Sequence, residues 1–241
     1  MTAVRGVVVA LLAVVLAACG SSAPATAAPP VTVRPGAPGM LVGGLDGASA
    51  AAVLAVLPVR DRDPLGYRRE AFGPAWADVD RNRCDTRNDV LRRDLADEAV
   101  RPDGCTVESG VLRDPYTGAE LTFTRGAATS SAVQIDHVVS LADAYRSGAH
   151  AWTPEQRVAF ANNPAGLLAV KGSENTRKGD RRADEYLPPR AEFRCRYAAI
   201  QVAVKAAPGP DVPPLSVSVP ERDALAAVLA RCGGEPAKGA P

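Results

Sequence analysis

The 241-residue chain carries almost no net charge: 28 basic residues against 27 acidic ones leave +1. That balance excludes the strongly basic class whose bulk charge announces a polyanion partner. Lysine is scarce. Only Lys171, Lys178, Lys205 and Lys238 stand among the 28 basic residues, and the others are arginine. Arginine forks suit phosphate, yet an Arg- and Ala-rich composition also follows from genomic base bias and decides nothing alone. Histidine occurs only as His137 and His150, which leaves two addresses for imidazole chemistry. No cysteines have Cys-x-x-Cys spacing, so a four-cysteine zinc site is disfavoured. Beyond the N-terminal segment no stretch is long and apolar enough to cross a bilayer, and there is no internal repeat.

What is present begins with export. Arg5 precedes an apolar run, Val7 to Leu16, too short to span a membrane and placed as a signal peptide would be. Leu16-Ala17-Ala18-Cys19-Gly20 resembles a lipobox, in which the cysteine is lipidated. The expected organisation is a lipoprotein signal peptide at 1–18, an Ala/Pro-rich tether at 19–40, one folded domain at 41–233 and a tail at 234–241. The tether lacks the large apolar residues needed to offset the entropy of ordering. With Cys19 assigned to the lipid, Cys84, Cys105, Cys195 and Cys232 remain. An even number in an oxidising compartment implies two disulfides. Of the three pairings, Cys84–Cys105 with Cys195–Cys232 is favoured, stapling the segments on either side of the centre.

Local patterns predict a short helix over 49–57 and an irregular lead-in over 63–80. A helix follows, capped by Asp85 or Thr86, with Val90, Leu91 and Leu95 at helical spacing. Two β-runs, 106–112 and 119–123, are joined by turn chemistry at Asp114-Pro115-Tyr116-Thr117-Gly118. An apolar strand over 132–141 is interrupted by Gln134, Asp136 and His137, and 143–148 reads as a helical turn. Thr153-Pro154 opens a helix that stops at Asn162-Asn163-Pro164. A strand over 167–170 and helices over 173–182, 192–206 and 220–230 complete the chain.

The chemistry-bearing region is Ile135-Asp136-His137-Val138-Val139, then Leu167 to Val170, then Asn175-Thr176-Arg177-Lys178-Gly179-Asp180. An adjacent Asp and His in an apolar strand cost burial energy unless both are satisfied. Phosphodiester hydrolysis supplies a reason. An attacking water must lose a proton, and neutral imidazole suits that near neutral pH. A divalent cation offsets charge building on the phosphoryl oxygens. Asp136 and Asn175 offer the hard oxygen donors that one such ion takes, magnesium first, with manganese or zinc as alternatives. Arg177 and Lys178 are candidate phosphate contacts. Strict strand alternation points Asp136 and His137 to opposite faces, so this site needs a strand end or a bulge.

These segments resemble the ββα-metal core of HNH endonucleases, and particularly a group of exported bacterial members. The nuclease core of that group is similar to the C-terminal domain of modification-dependent restriction enzymes. Asp78 to Asn82, Cys84 to Asn88, Asp114 to Gly118, Phe160 to Asn162 and Glu185 to Pro189 extend the likeness over roughly 57–232. The resemblance implies an α+β domain in which a ββα-metal core is surrounded by helices and two disulfides. It implies His137 as general base, Asp136 and Asn175 as metal ligands, a nucleic-acid substrate with DNA first, and 5′-phosphate products. Gly166 stands where the family has an Asn that braces the histidine loop, with Asn162 or Asn163 as candidate replacements. Ser140 stands where a Pro is common. A surface-anchored lipoprotein that binds nucleic acid without cutting it, or an envelope interaction protein, are the alternatives. Arg87 is expected to pair with Asp85 or Asp89, His150 to be solvated, and 171–205, with nine basic and five acidic residues, to lean toward phosphate. A monomer is favoured.

Overall fold

Ala50, Val53 and Leu54 turn one face of helix α1 (Gly47–Leu54) into the protein. The computed structural model describes residues 45, 47–63 and 66–232. The expected signal peptide, the expected tether with Cys19 and the expected tail lie outside the described residues.

Asp85 caps α2 (Thr86–Asp94), its carboxylate accepting from Asn88 N at 2.8 Å, as a helix-start Asp should. The helix ends one residue earlier than its apolar spacing suggests. Leu95 instead begins strand β1 (Leu95–Val100), which pairs antiparallel with β2 (Val107–Arg113). Leu95 sits opposite Leu112 and is buried there, so tertiary pairing overrides a locally helical stretch. Strand β3 (Glu120–Thr124) completes this three-stranded sheet through the Asp114–Gly118 turn. Gly118 takes φ 77°, which the turn requires of a residue without Cβ.

A second hairpin pairs β4 (Val133–His137) with β5 (Leu167–Lys171). Between them lie α3 (Leu141–Arg146) and α4 (Pro154–Ala161). Ser140 caps α3, its hydroxyl accepting from Asp143 N at 3.1 Å, which gives that position a role no proline could perform. Thr153 and Gln156 form a reciprocal capping box on α4. Helix α5 (Gly172–Lys178) follows β5 directly and ends at Gly179, whose φ is 56°, earlier than expected. Helices α6 (Arg194–Ala206) and α7 (Val219–Leu229) close the chain.

Three apolar clusters hold these elements. One lies between α2 and the two hairpins, around Leu91, Leu112, Phe123, Ile135 and Leu167. A second lies between the α4–α5 region and α6, around Tyr116, Val138, Leu168, Tyr197 and Ile200. The third joins α1, α6 and α7 through Leu54, Ala198, Val202 and Leu225. Both favoured disulfides, Cys84–Cys105 and Cys195–Cys232, are formed. The result is an α+β fold with two small sheets. Among the described residues no helix is long and apolar enough to cross a membrane.

Candidate active site

The β4–β5 hairpin and α5 place the chemistry-bearing residues. Side chains from α2 satisfy the free edge of β5: Asp94 accepts from Ala169 N at 2.8 Å, and Arg93 donates to Leu167 O at 2.6 Å. Asp114 accepts from Lys171 N at 3.0 Å, so the turn between β2 and β3 also anchors the end of β5. Gly172 then lets α5 start hard against β4, because a Cβ there would lie 2.0 Å from Ser131 O.

The ladder is regular from Val133 opposite Lys171 to His137 opposite Leu167, with no bulge. His137 is the last residue of β4, and successive side chains take opposite faces. Their partners are accordingly separate. Asp136 is buried: Tyr116 OH donates to its Oδ2 at 2.5 Å, and Lys178 Nζ donates to its Oδ1 at 2.8 Å. Lys178 also donates to His137 O at 2.8 Å. Burial raises the Asp136 carboxyl above its usual range, while the Lys178 charge and the two hydrogen bonds pull it back. Burial, reinforced by the Asp136 charge, pushes the Tyr116 phenol well above its ordinary value.

On the other face His137 Nε2 lies 2.8 Å from Ala161 O, a contact that requires the Nε2–H tautomer. The imidazole lies over the indole of Trp76, with centroids 5.9 Å apart and planes at 15°. Burial lowers its pKa to about 4, and the charges of Lys178 and Arg69 act in the same direction. The ring is thus neutral near pH 7, with its lone pair on Nδ1. Ala161 O does the bracing expected of a side chain. Asn162 Nδ2 donates to Val158 O and Asn163 Oδ1 accepts from Ala165 N, so neither braces the histidine. A cavity of about 10 Å³, bounded by His137, Asn163, Gly166 and Val204, lies beside the ring.

Asn175 is partly buried on α5 and donates through Nδ2 to Gln134 Oε1 at 3.0 Å. Gln134 shares a β4 face with Asp136, two residues on. Lys178 lies about one helical turn beyond Asn175. Structure thus brings Asp136, Asn175 and Lys178 to one side of the hairpin, and His137 to the other.

Four expectations are corrected. Lys178 is fully buried against Asp136 and does not present itself to a phosphate. Arg87 donates to Ser130 O and Val133 O, since its guanidinium is folded onto β4 rather than onto its own helix. His150 is half-buried, its Nδ1 at 3.0 Å from Tyr145 O. The basic bias of 171–205 is largely consumed internally: Arg177, Lys178, Arg182, Arg190 and Lys205 each face a carboxylate. Arg177 nonetheless keeps its side chain 56% exposed, with Glu174 at one side and the Tyr186 ring beneath it.

Residues 85–212, more than half of the chain, match the model of the family described as GmrSD restriction endonucleases, C-terminal domain. The chain belongs to that family. It is also 39% identical over 189 residues to an uncharacterized secreted protein of Arthroderma benhamiae, covering 76% of this chain and 85% of the relative. The likeness therefore reaches a secreted fungal protein, and the two disulfides agree with an oxidising, extracellular setting. No solved structure matches.

The GmrSD C-terminal segment spans Asp136, His137, Asn175 and Lys178. Whether Asp136 and Asn175 fit a metal ion turns on the donor set. Among the described residues no three His, Cys, Asp or Glu side chains gather around one point, which excludes an all-protein cage. A magnesium-class ion needs less, since it keeps several waters and is completed by substrate phosphate. The Lys178 ammonium already pairs with the Asp136 carboxylate, which would otherwise be a bare buried charge, and Tyr116 OH takes its other oxygen. One carboxylate and one amide oxygen are of the hard donor type that such an ion takes. Tyr116, its hydroxyl on Asp136, reads in sequence as part of a turn or as a groove-lining ring, and nothing local signals its buried carboxylate partner.

Proposed function

We propose that this protein is an HNH-type, metal-dependent endonuclease that hydrolyses phosphodiester bonds of nucleic acid, DNA first, outside the cytoplasm. The observation that carries the reading is the state of His137. Its Nε2–H is committed to Ala161 O, and its lowered pKa keeps Nδ1 unprotonated. In the step proposed, Nδ1 accepts a proton from a water as the water oxygen bonds to phosphorus. The bond from phosphorus to the 3′ oxygen breaks, and that oxygen takes a proton from solvent, leaving 5′-phosphate and 3′-hydroxyl ends. Asp136 and Asn175 would hold a divalent ion, magnesium first, whose chemistry is to offset charge on the phosphoryl oxygens. Since they lie on the opposite face from His137, one phosphate would be served by both only at the end of β4, where His137 is the last residue. Arg177, exposed beside them, is the candidate phosphate contact. Lys178 neutralises Asp136 and so keeps the carboxylate ionised while buried. Lipidation at Cys19 would hold the enzyme at the cell surface, and a monomer is the working assembly.

The test is a plasmid-nicking assay comparing wild type with His137→Ala in magnesium, in manganese and in excess chelator. Cleavage that persists in His137→Ala would sink the assignment. The engagement of Asp136 by Lys178 favours one second reading, a nucleic-acid-binding lipoprotein that does not cut. It predicts salt-sensitive DNA binding with no cleavage by either protein.

A further inference from the structure

Trp76 belongs to none of the groups assigned above. It lies in the lead-in, outside the matched family segment, and its indole is partly buried against the cluster around Leu91 and Ile135. Its backbone has φ 58°, a region that a bulky L-residue rarely enters. Such strain persists only where the surroundings over-determine it, and it concentrates where geometry matters for function. The neighbouring backbone is anchored: Thr86 Oγ1 donates to Ala77 O at 2.7 Å, which ties the lead-in to the start of α2. The strained residue places its ring against that cluster and stacked on His137, with centroids 5.9 Å apart and planes at 15°.

One hydrogen bond does not fix an imidazole. With only Ala161 O on Nε2, the ring can still swing about that contact and re-aim Nδ1. A flat aromatic face against it removes that freedom. On the Gly166 side the ring borders a small cavity of about 10 Å³.

We propose that Trp76 is a positioning residue for His137, its indole fixing the imidazole plane so that Nδ1 stays aimed at the attacking water. This rests on the reading of His137 as the general base. A packing role alone would cost stability and leave the kcat of the folded protein unchanged.

The experiment uses the disulfide-intact chain as wild type, Trp76→Phe, Trp76→Tyr and Trp76→Leu, with supercoiled plasmid as substrate. Folding is checked by denaturant titration, and the His137 ring protons are followed by NMR, with a His150→Gln variant to assign the two histidines. Trp76→Leu is expected to lose about ten- to a hundredfold in kcat, as ångström-scale misplacement does. KM should stay within about twofold, the mark of an effect on the chemical step. The upfield ring-current shift of His137 should vanish with it. Phe and Tyr, which keep a flat face, should restore most of both. Wild-type kcat in Trp76→Leu overturns the proposal, and so does an unmoved His137 resonance. A rise in KM at constant kcat overturns it too, making Trp76 a substrate contact. Should the folded wild type never cleave, the base assignment falls and this proposal falls with it, whereas cleavage lost in His137→Ala but kept in Trp76→Leu condemns the proposal alone.

Discussion

Lys178 Nζ stands 2.8 Å from Asp136 Oδ1 in a pair whose side chains are 0% and 4% exposed. The two residues sit on different elements, α5 and β4, and each makes the other's burial tolerable. Tyr116 OH completes the carboxylate at 2.5 Å. Because both charges lie in low dielectric, removing either leaves the other uncompensated.

Lys178→Met and Asp136→Ala are each expected to destabilise the domain by about 3–5 kcal/mol. The double variant Asp136→Ala with Lys178→Met should cost clearly less than the sum of its single changes. Urea titration of the four proteins measures the coupling, and additive values would show that the pair is not interacting as described.

If His137 is the base, its imidazole, lowered by burial to about pKa 4, should make the cleavage rate insensitive to acid over a range where an ordinary histidine titrates. At saturating metal the rate should persist well below the usual histidine pKa of about 6.5 and fall only as pH approaches 4. The sign for stability follows. The unfolded chain binds a proton at this position that the folded chain refuses, so the His137 contribution is present above the unfolded pKa and is lost as pH falls toward the folded value. A rate profile that breaks near 6.5 would contradict the burial of the ring as the setting of its pKa.

Excess chelator should stop plasmid cleavage and magnesium should restore it, without change in the circular dichroism spectrum, since three apolar clusters and two disulfides hold the described fold. Asn175→Ala should raise the magnesium needed for half-maximal cleavage by at least about tenfold, the scale of losses around metal ligands. An unchanged magnesium dependence would remove Asn175 from the proposed ligand set.

Gly172→Ala tests the junction between β5 and α5. The added Cβ would meet a backbone oxygen, Ser131 O, at 2.0 Å, so α5 must move away from β4. Overpacking of this kind costs about 1–3 kcal/mol. The Gln134–Asn175 contact at 3.0 Å should open with it. Calorimetry would check the first and a fall in cleavage the second. By contrast, a side chain begun at Gly166 meets Val204 at 3.4 Å, ordinary contact, so Gly166→Asn should fold normally.

Local chemistry alone determined the helix start at Asp85, the turn at Asp114–Gly118 and the helix cap at Thr153. Each of these depends on residues within a few positions of one another, where a side chain and a backbone group meet whatever the rest of the chain does. The parity of the cysteines likewise implied two bridges, and the favoured pairing is the one formed. Only the tertiary structure decided that Tyr116 and Lys178 bury themselves on Asp136, that Trp76 lies on His137 and that Leu95 leaves a helix for a strand. Those outcomes join segments far apart in sequence. A lysine on a polar helix reads as solvated, and a tyrosine in a turn reads as part of the turn, until packing brings a buried carboxylate within hydrogen-bond distance and leaves it no water to use instead.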